Sequence, residues 1–256
     1  MPKNNTFQKP GFWKKKSLGQ NFLINRSIFD KILNASELNR EDTIIEIGPG
    51  TGNLTEKLSE RVRRVIAVEK DSRLISFLRE KFTNSNIEIV EGDILHIGAN
   101  ISRSRASGEY KIIGNIPYYI TSHILRAILE QWRQPKLIVF MVQKEVAKRI
   151  IAKPPEMSLL ALSIQFYSNP EIIGYVSKGS FRPIPRVDSA IIKFAPKKDA
   201  DHQKIESALK LARKAFAGKR KQLQNTLPEI NFESMGINPQ SRPEELSVSD
   251  WLRIVV

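Results

Sequence analysis

"TIIEIGPGTGNLTEKL", residues 43–58, passes from a β-branched run through three alternating glycines into residues spaced for a helix. A short, almost wholly apolar run of this kind suits a strand buried on both faces of a parallel sheet. Gly48, Gly50 and Gly52 follow it directly, and the predicted helix begins near Asn53. Glycine reaches positive φ at no steric cost and lets the backbone approach a ligand at the carboxyl end of the strand. The unit therefore predicts an α/β fold with a nucleotide loop at its first turn.

Working outward, the runs "RVIAVE" (64–69), "NIEIVE" (86–91), "YKIIGN" (110–115) and "KLIVFMV" (136–142) repeat the β-branched pattern. Helical spacing separates them at 53–61, 71–82, 119–133 and 144–152. Such alternation implies right-handed crossovers and a parallel sheet covered on both faces. "SLLALSIQFYSN" (158–169) reads as a helix, and 171–177 and 188–194 read as strands joined by the proline-rich "SFRPIPRV". These two suit a hairpin at the sheet edge, where a proline-bearing connection costs little. Beyond "APKKDAD" the pattern turns helical. The expected organisation is a flexible basic arm over residues 1–20, a sheet domain over 21–197 and a small all-helical domain over 198–256.

The 256 residues are 41% hydrophobic, enough for a sizeable core. A net charge of +14, from 41 Lys and Arg against 27 Asp and Glu, favours a polyanionic partner. Nucleic acid leads, with an anionic membrane surface second. The absence of cysteine removes disulfides and thiolate metal sites and fits a cytoplasmic enzyme. The polar, basic N-terminus is no secretory signal, and "LIVFMV" (137–142) is too short to span a bilayer. His96, His123 and His202 lack ligand-like spacing, so no metal is expected.

The glycine spacing is G-x-G-x-G, with Asn53 where a dinucleotide fingerprint wants its third glycine, which disfavours NAD. Glu69, at the end of the second strand, suits the two hydroxyls of a ribose. Asp93, beyond the third, suits an exocyclic amine or a backbone donor. With no phosphate-cradling P-loop, S-adenosylmethionine fits better than NAD or ATP. "GNIPYY" (114–119) then puts Asn115 at the end of the fourth strand, with Tyr118 as a flat face for a base. An amide oxygen and a nearby carbonyl together accept both hydrogens of an aromatic amine, so the set suits methyl transfer to adenine nitrogen by positioning.

Basic residues cluster in two places. "FWKKK" carries Lys14, Lys15 and Lys16 beside aromatic rings, and Ser207–Pro228 holds Lys210, Arg213, Lys214, Lys219, Arg220 and Lys221 without an acid. Leu209, Ala212 and Phe216 recur at helical spacing as a core-facing stripe, which leaves the basic face for RNA. Gly218 is expected to end that helix and to present "KRK" at the start of the next.

"LGQNFL" (18–23), "EIGPGTGNLT" (46–55), "NIPYYIT" (115–121), "VQKEVAKRI" (142–150) and "SFRPIPRVDSAI" (180–191) occur in order. Over residues 14–227 the chain resembles the ribosomal RNA adenine dimethyltransferases of the small-subunit (KsgA) type. The resemblance implies a Rossmann-like class I methyltransferase sheet, mostly parallel with its last strand antiparallel. It implies transfer of methyl groups from S-adenosylmethionine to two adjacent adenosines near the 3′ end of small-subunit rRNA during ribosome assembly, by a monomer. Its cofactor contacts fall on Asn21, Leu23, Gly48, Glu69, Asp93 and Asn115, with Gly50 in the same loop. Asn115 and Tyr118 hold the target base, with Phe181 closing on its other face. The chain departs from the family at "PEMSLLALSI" and at His123, so no roles are carried onto the loop there or onto 121–124. Two other readings stay open: a large-subunit methyltransferase of the macrolide-resistance kind, and an assembly factor that keeps the fold without catalysis.

Overall fold

The computed structural model describes residues 21–106, 108–117, 120–218 and 220–255. Lys14, Lys15, Lys16, Tyr118 and Lys219 lie outside the described residues. The chain opens with a two-residue strand, β1 (Phe22–Leu23), and a helix, α1 (Arg26–Ala35). Four strand–helix units follow: β2 (Thr43–Ile47) with α2 (Asn53–Ser59), β3 (Arg64–Glu69) with α3 (Ser72–Lys81), β4 (Ile87–Glu91) with α4 (Ile94–Ser104), and β5 (Tyr110–Asn115) with α5 (Thr121–Gln131). Then come β6 (Leu137–Gln143), α6 (Lys144–Ile150) and α7 (Leu159–Gln165). The strands β7 (Ser168–Val176), β8 (Phe181–Arg182) and β9 (Ser189–Pro196) precede the helices α8 (His202–Ala217), α9 (Leu223–Thr226) and α10 (Val248–Ile254).

The seven long strands form one sheet in the order β4-β3-β2-β5-β6-β9-β7. The first five are parallel, and β9 runs antiparallel between β6 and β7. The edge hairpin expected from the sequence is therefore present, with Pro170 on the outermost strand, β7. Neighbouring residues along each central strand feed opposite layers. Ile45, Ile66 and Ile112 join one apolar cluster, while Ile44, Val65 and Ile113 join the other. At the amino ends of the strands, Lys111 Nζ meets Asp42 Oδ2 at 2.8 Å, with both side chains buried.

Several elements differ from the sequence reading. Helices α1 and α4 have no counterpart in it, and "SFRPIPRV" is more than a connection. Its Phe181 and Arg182 pair with Leu23 and Phe22, some 160 residues earlier in the chain, as the small β1–β8 ladder. The predicted helix 158–169 stops at Gln165, because Ser168 already enters β7. Helix α9 begins only at Leu223, so Arg220 and Lys221 stand before the helix rather than in its first turn. Gly218 does end α8.

Candidate active site

Strand order reverses between β2 and β5, which opens a crevice at their carboxyl ends. The register fixes what lines it. Ile47 pairs with Val68 and with Gly114, so Gly48, Glu69 and Asn115 stand at one level on three adjacent strands. Asp93 lies two residues past β4, whose Glu91 pairs with Glu69.

Gly48, Gly50 and Gly52 all have positive φ, at 69°, 58° and 76°. A Cβ on Gly52 would stand 2.7 Å from the Phe82 ring, so that turn excludes a side chain on two counts. Lys81 braces the turn from outside, its Nζ 3.4 Å from the Thr51 carbonyl and 3.1 Å from the Glu56 carboxylate. The buried Glu69 carboxylate accepts N–H bonds from Gly50 at 3.3 Å and from Lys70 and Asp71 at 2.9 Å each. Burial pushes its pKa above the ordinary value, while the bonds from Asp71, Gly50 and Lys70 draw it back.

Asp93 is the N-cap of α4, its Oδ1 accepting from the Leu95 N–H at 3.0 Å. Its Oδ2 meets Lys70 Nζ at 2.6 Å. Partial burial pushes this carboxyl up, but the Lys70 and Leu95 hydrogen bonds outweigh it and hold the group below its usual range. Asn115 donates from Nδ2 to the Asn21 carbonyl at 3.0 Å, which sets the orientation of the amide. Leu23 is buried beside this contact, next to Phe22 on β1. Phe181 is only 1% exposed and pairs with Leu23, so a base reaches its ring only if the segments around it give way.

One residue of the crevice was not singled out in the sequence. Glu46, 1% exposed, lines a cavity of about 40 Å³ together with Leu23, Gly48, Gly50 and Asn115. Its Oε2 has no hydrogen-bond partner among the described residues, and burial pushes its pKa to about 8. The nearby Thr55 hydroxyl draws it back, the Glu69 charge adds to the rise and Lys81 opposes it. The signal was present as a lone acid inside the otherwise apolar "TIIEI", two residues before the first glycine. A cavity of this size has room for a small polar group such as an ammonium.

The family whose profile matches residues 11–256 is described as ribosomal RNA adenine dimethylase. The chain belongs to this family. It is accordingly an S-adenosylmethionine-dependent adenine methyltransferase with a Rossmann-like sheet. A relative from Dehalococcoides mccartyi (strain 195), called ribosomal RNA small subunit methyltransferase A, is 44% identical over 93% of this chain and 86% of its own. One of the same name from Clostridium botulinum (type A) is 38% identical over 92% and 90%. Among solved structures, a dimethyladenosine transferase from Plasmodium falciparum superposes with a TM-score of 0.77 at 28% identity, over 91% of this chain and 95% of its own. The 23S rRNA methyltransferase ErmE also reaches 0.77, at 27% identity, over 92% and 98%.

The residues present fit the family's donor. Glu69 offers a buried carboxylate for a ribose, and the glycine turn brings bare backbone to the crevice. Glu46 offers an unpartnered acid oxygen to a cationic end. Among the described residues no group of three His, Cys, Asp or Glu stands ready to hold a metal ion, and no helix is long and apolar enough to cross a membrane.

Of the candidate RNA contacts within the described residues, Arg213, Lys214, Arg220 and Lys221 are exposed. Lys214 is paired with Glu229 at 2.7 Å, an acid just past the window in which the sequence showed none. Leu209 and Ala212 are buried as expected, and Phe216 stacks on Trp251 with ring centroids 6.3 Å apart.

Proposed function

We propose that the chain transfers methyl groups to the exocyclic amines of two adjacent adenosines near the 3′ end of small-subunit rRNA, as a cytoplasmic monomer acting on an assembling ribosomal particle. The observation that carries this reading is the level placement of Gly48, Glu69 and Asn115 at the crevice, with the Asn115 amide oriented by Asn21. The small-subunit assignment rests on the near full-length similarity to relatives that carry that name.

Bound S-adenosylmethionine supplies a sulfonium methyl. Glu69 would take the ribose hydroxyls, Asp93 the adenine amine in competition with Lys70, and Glu46 the amino-acid ammonium. Asn21, Leu23, Gly48 and Gly50 would wall the donor. The target adenine amine is a weak nucleophile because its lone pair is delocalised into the ring. Asn115 Oδ1 and a neighbouring carbonyl would hold its hydrogens and favour a pyramidal nitrogen, with Tyr118 against one face of the base and Phe181 against the other once the β1–β8 segments covering its ring give way. Because the amine becomes acidic as it takes the methyl, its proton would leave to water, and these residues would supply positioning rather than a strong base. Lys14, Lys15, Lys16, Arg213, Lys214, Lys219, Arg220 and Lys221 would meet RNA phosphates.

The test is methyl transfer to small subunits lacking these marks, read as dimethyladenosine at the 3′ end. The wild-type chain is expected to label small subunits and not large ones, and Asn115→Ala to lower kcat about 10²–10³-fold while the protein stays folded. Label only on large subunits would assign the ErmE-like reaction. A folded protein without calorimetric binding of S-adenosylmethionine would favour an assembly factor.

A further inference from the structure

Among the described residues three large apolar side chains stand well exposed: Tyr175 at 52%, Ile184 at 56% and Val187 at 41%. Isolated exposed apolar residues are ordinary. These three, however, lie at the same end of the sheet, Tyr175 near the carboxyl end of β7 and the other two on the loop from β8 to β9. Contacts tie the ledge together. Lys144 Nζ stands 5.2 Å from the centroid of the Tyr175 ring, and the Lys144 N–H donates to the carbonyl of Asp188, next to Val187, at 3.0 Å. Asp188 Oδ1 in turn accepts from the Lys178 N–H at 3.0 Å.

The segments that meet at this ledge are mostly basic: Lys144 and Lys148 on α6, with Lys178, Arg182 and Arg186 between β7 and β9, are set against two carboxylates among the described residues of those segments, Glu145, 3.7 Å from Lys148, and Asp188, already bonded to backbone. An open ring among cations suits base stacking and phosphate contact. A protein interface would instead gather an apolar centre depleted of charge.

The ledge continues the methyltransferase crevice. Gln143 and Val176 both pair with Ser189, so the ends of β6 and β7 share the carboxyl edge that carries Asn115. Three strand steps separate β5 from β7, about 14 Å at ordinary strand spacing. That distance is within reach of the nucleotides next to a base held at Asn115.

We propose that the Tyr175–Lys144 ledge binds single-stranded RNA flanking the target adenosine, with a base stacked on Tyr175 and the phosphates facing Lys144, Lys178, Arg182 and Arg186. The inference rests on the adenine methyltransferase reading, and it adds a subsite that holds the substrate strand outside the reacting centre.

The test uses the full-length chain with two probes: a naked single-stranded 3′ fragment of small-subunit rRNA carrying the unmethylated adenosines, and the unmethylated particle. Tyr175→Ala is expected to raise the Kd for the naked fragment about fivefold or more, with the Kd for S-adenosylmethionine and the melting temperature unchanged. Tyr175→Phe, which keeps the ring, retains wild-type affinity. Lys144→Met lowers the slope of log Kd against log salt by about one. An unchanged Kd in Tyr175→Ala overturns the ledge. So does a loss seen with the particle but not with naked RNA, which would assign the surface to a ribosomal protein. Failure of the wild-type chain to bind S-adenosylmethionine or to methylate would instead overturn the enzymatic reading, with the ledge still judged by its own Kd.

Discussion

Glu46 carries an unusual burden for a strand residue. Its carboxyl sits in the sheet core with an oxygen that nothing among the described residues satisfies, and desolvation favours the protonated form. Because its folded pKa of about 8 lies above the ordinary 4.5, folding takes up a proton between these values. Its contribution to stability is therefore present in full below 4.5 and is lost as pH rises through about 8. The expected cost is up to about 1.4 kcal/mol per pH unit across that window. Thermal melts from pH 5 to 9 should show the wild-type chain losing stability relative to Glu46→Gln as pH rises. Equal pH profiles would show that Glu46 ionises as readily folded as unfolded. An ammonium placed beside it would favour its ionised form, so Glu46→Gln should also weaken S-adenosylmethionine binding in calorimetry. Glu69, Asp93 and Asn115 were legible because each stands at the end of a recognisable strand or, for Asp93, two residues past it. Glu46 was not, because period and composition absorb one acid into an apolar run without remark.

At the scale of the element, α4 shows how packing overrides local propensity. "ILHIGANISRS" contains Gly98, Asn100 and two serines, which suit a helix interior poorly. The helix forms because Asp93 caps it and Trp132 lies against its glycine. A Cβ on Gly98 would stand 1.9 Å from the Trp132 ring, so the close approach of α4 to the end of α5 requires that residue. Gly98→Ala, although it raises helix propensity, should destabilise the protein by about 1–3 kcal/mol through overpacking. The fall in Tm should be several degrees, with the Kd for S-adenosylmethionine little changed below the transition. An unchanged Tm would mean that Trp132 has room to move. The β1–β8 ladder is similar in kind. Two residues have no period to read, and their partners are 160 positions away, yet they help to place Leu23 and Asn21 against the crevice.

For the whole molecule, the helical C-terminal part and the sheet share a core. Ile205, Leu209, Ala212, Phe232, Trp251 and Ile254 belong to the apolar cluster that holds Ile66, Ile112 and Phe140. The division at 197/198 remains a proposal about organisation, and this continuity gives it a measurable consequence. A chain ending at residue 197 should expose the α7 side of that cluster and lose cooperative unfolding, while a soluble fragment with a sharp melt would show two independent units. Residue order by itself determined the alternation of strand and helix, the glycine turn and the acids and amide at strand ends, because burial and φ freedom act within a few residues and leave a local period. Only the tertiary structure decided that Gly48, Glu69 and Asn115 share one level, that Lys214 is paired with Glu229 and that Tyr175 stands open beside Lys144. Strand register and cross-chain contacts are set by packing between segments far apart in the chain, and no local pattern records them.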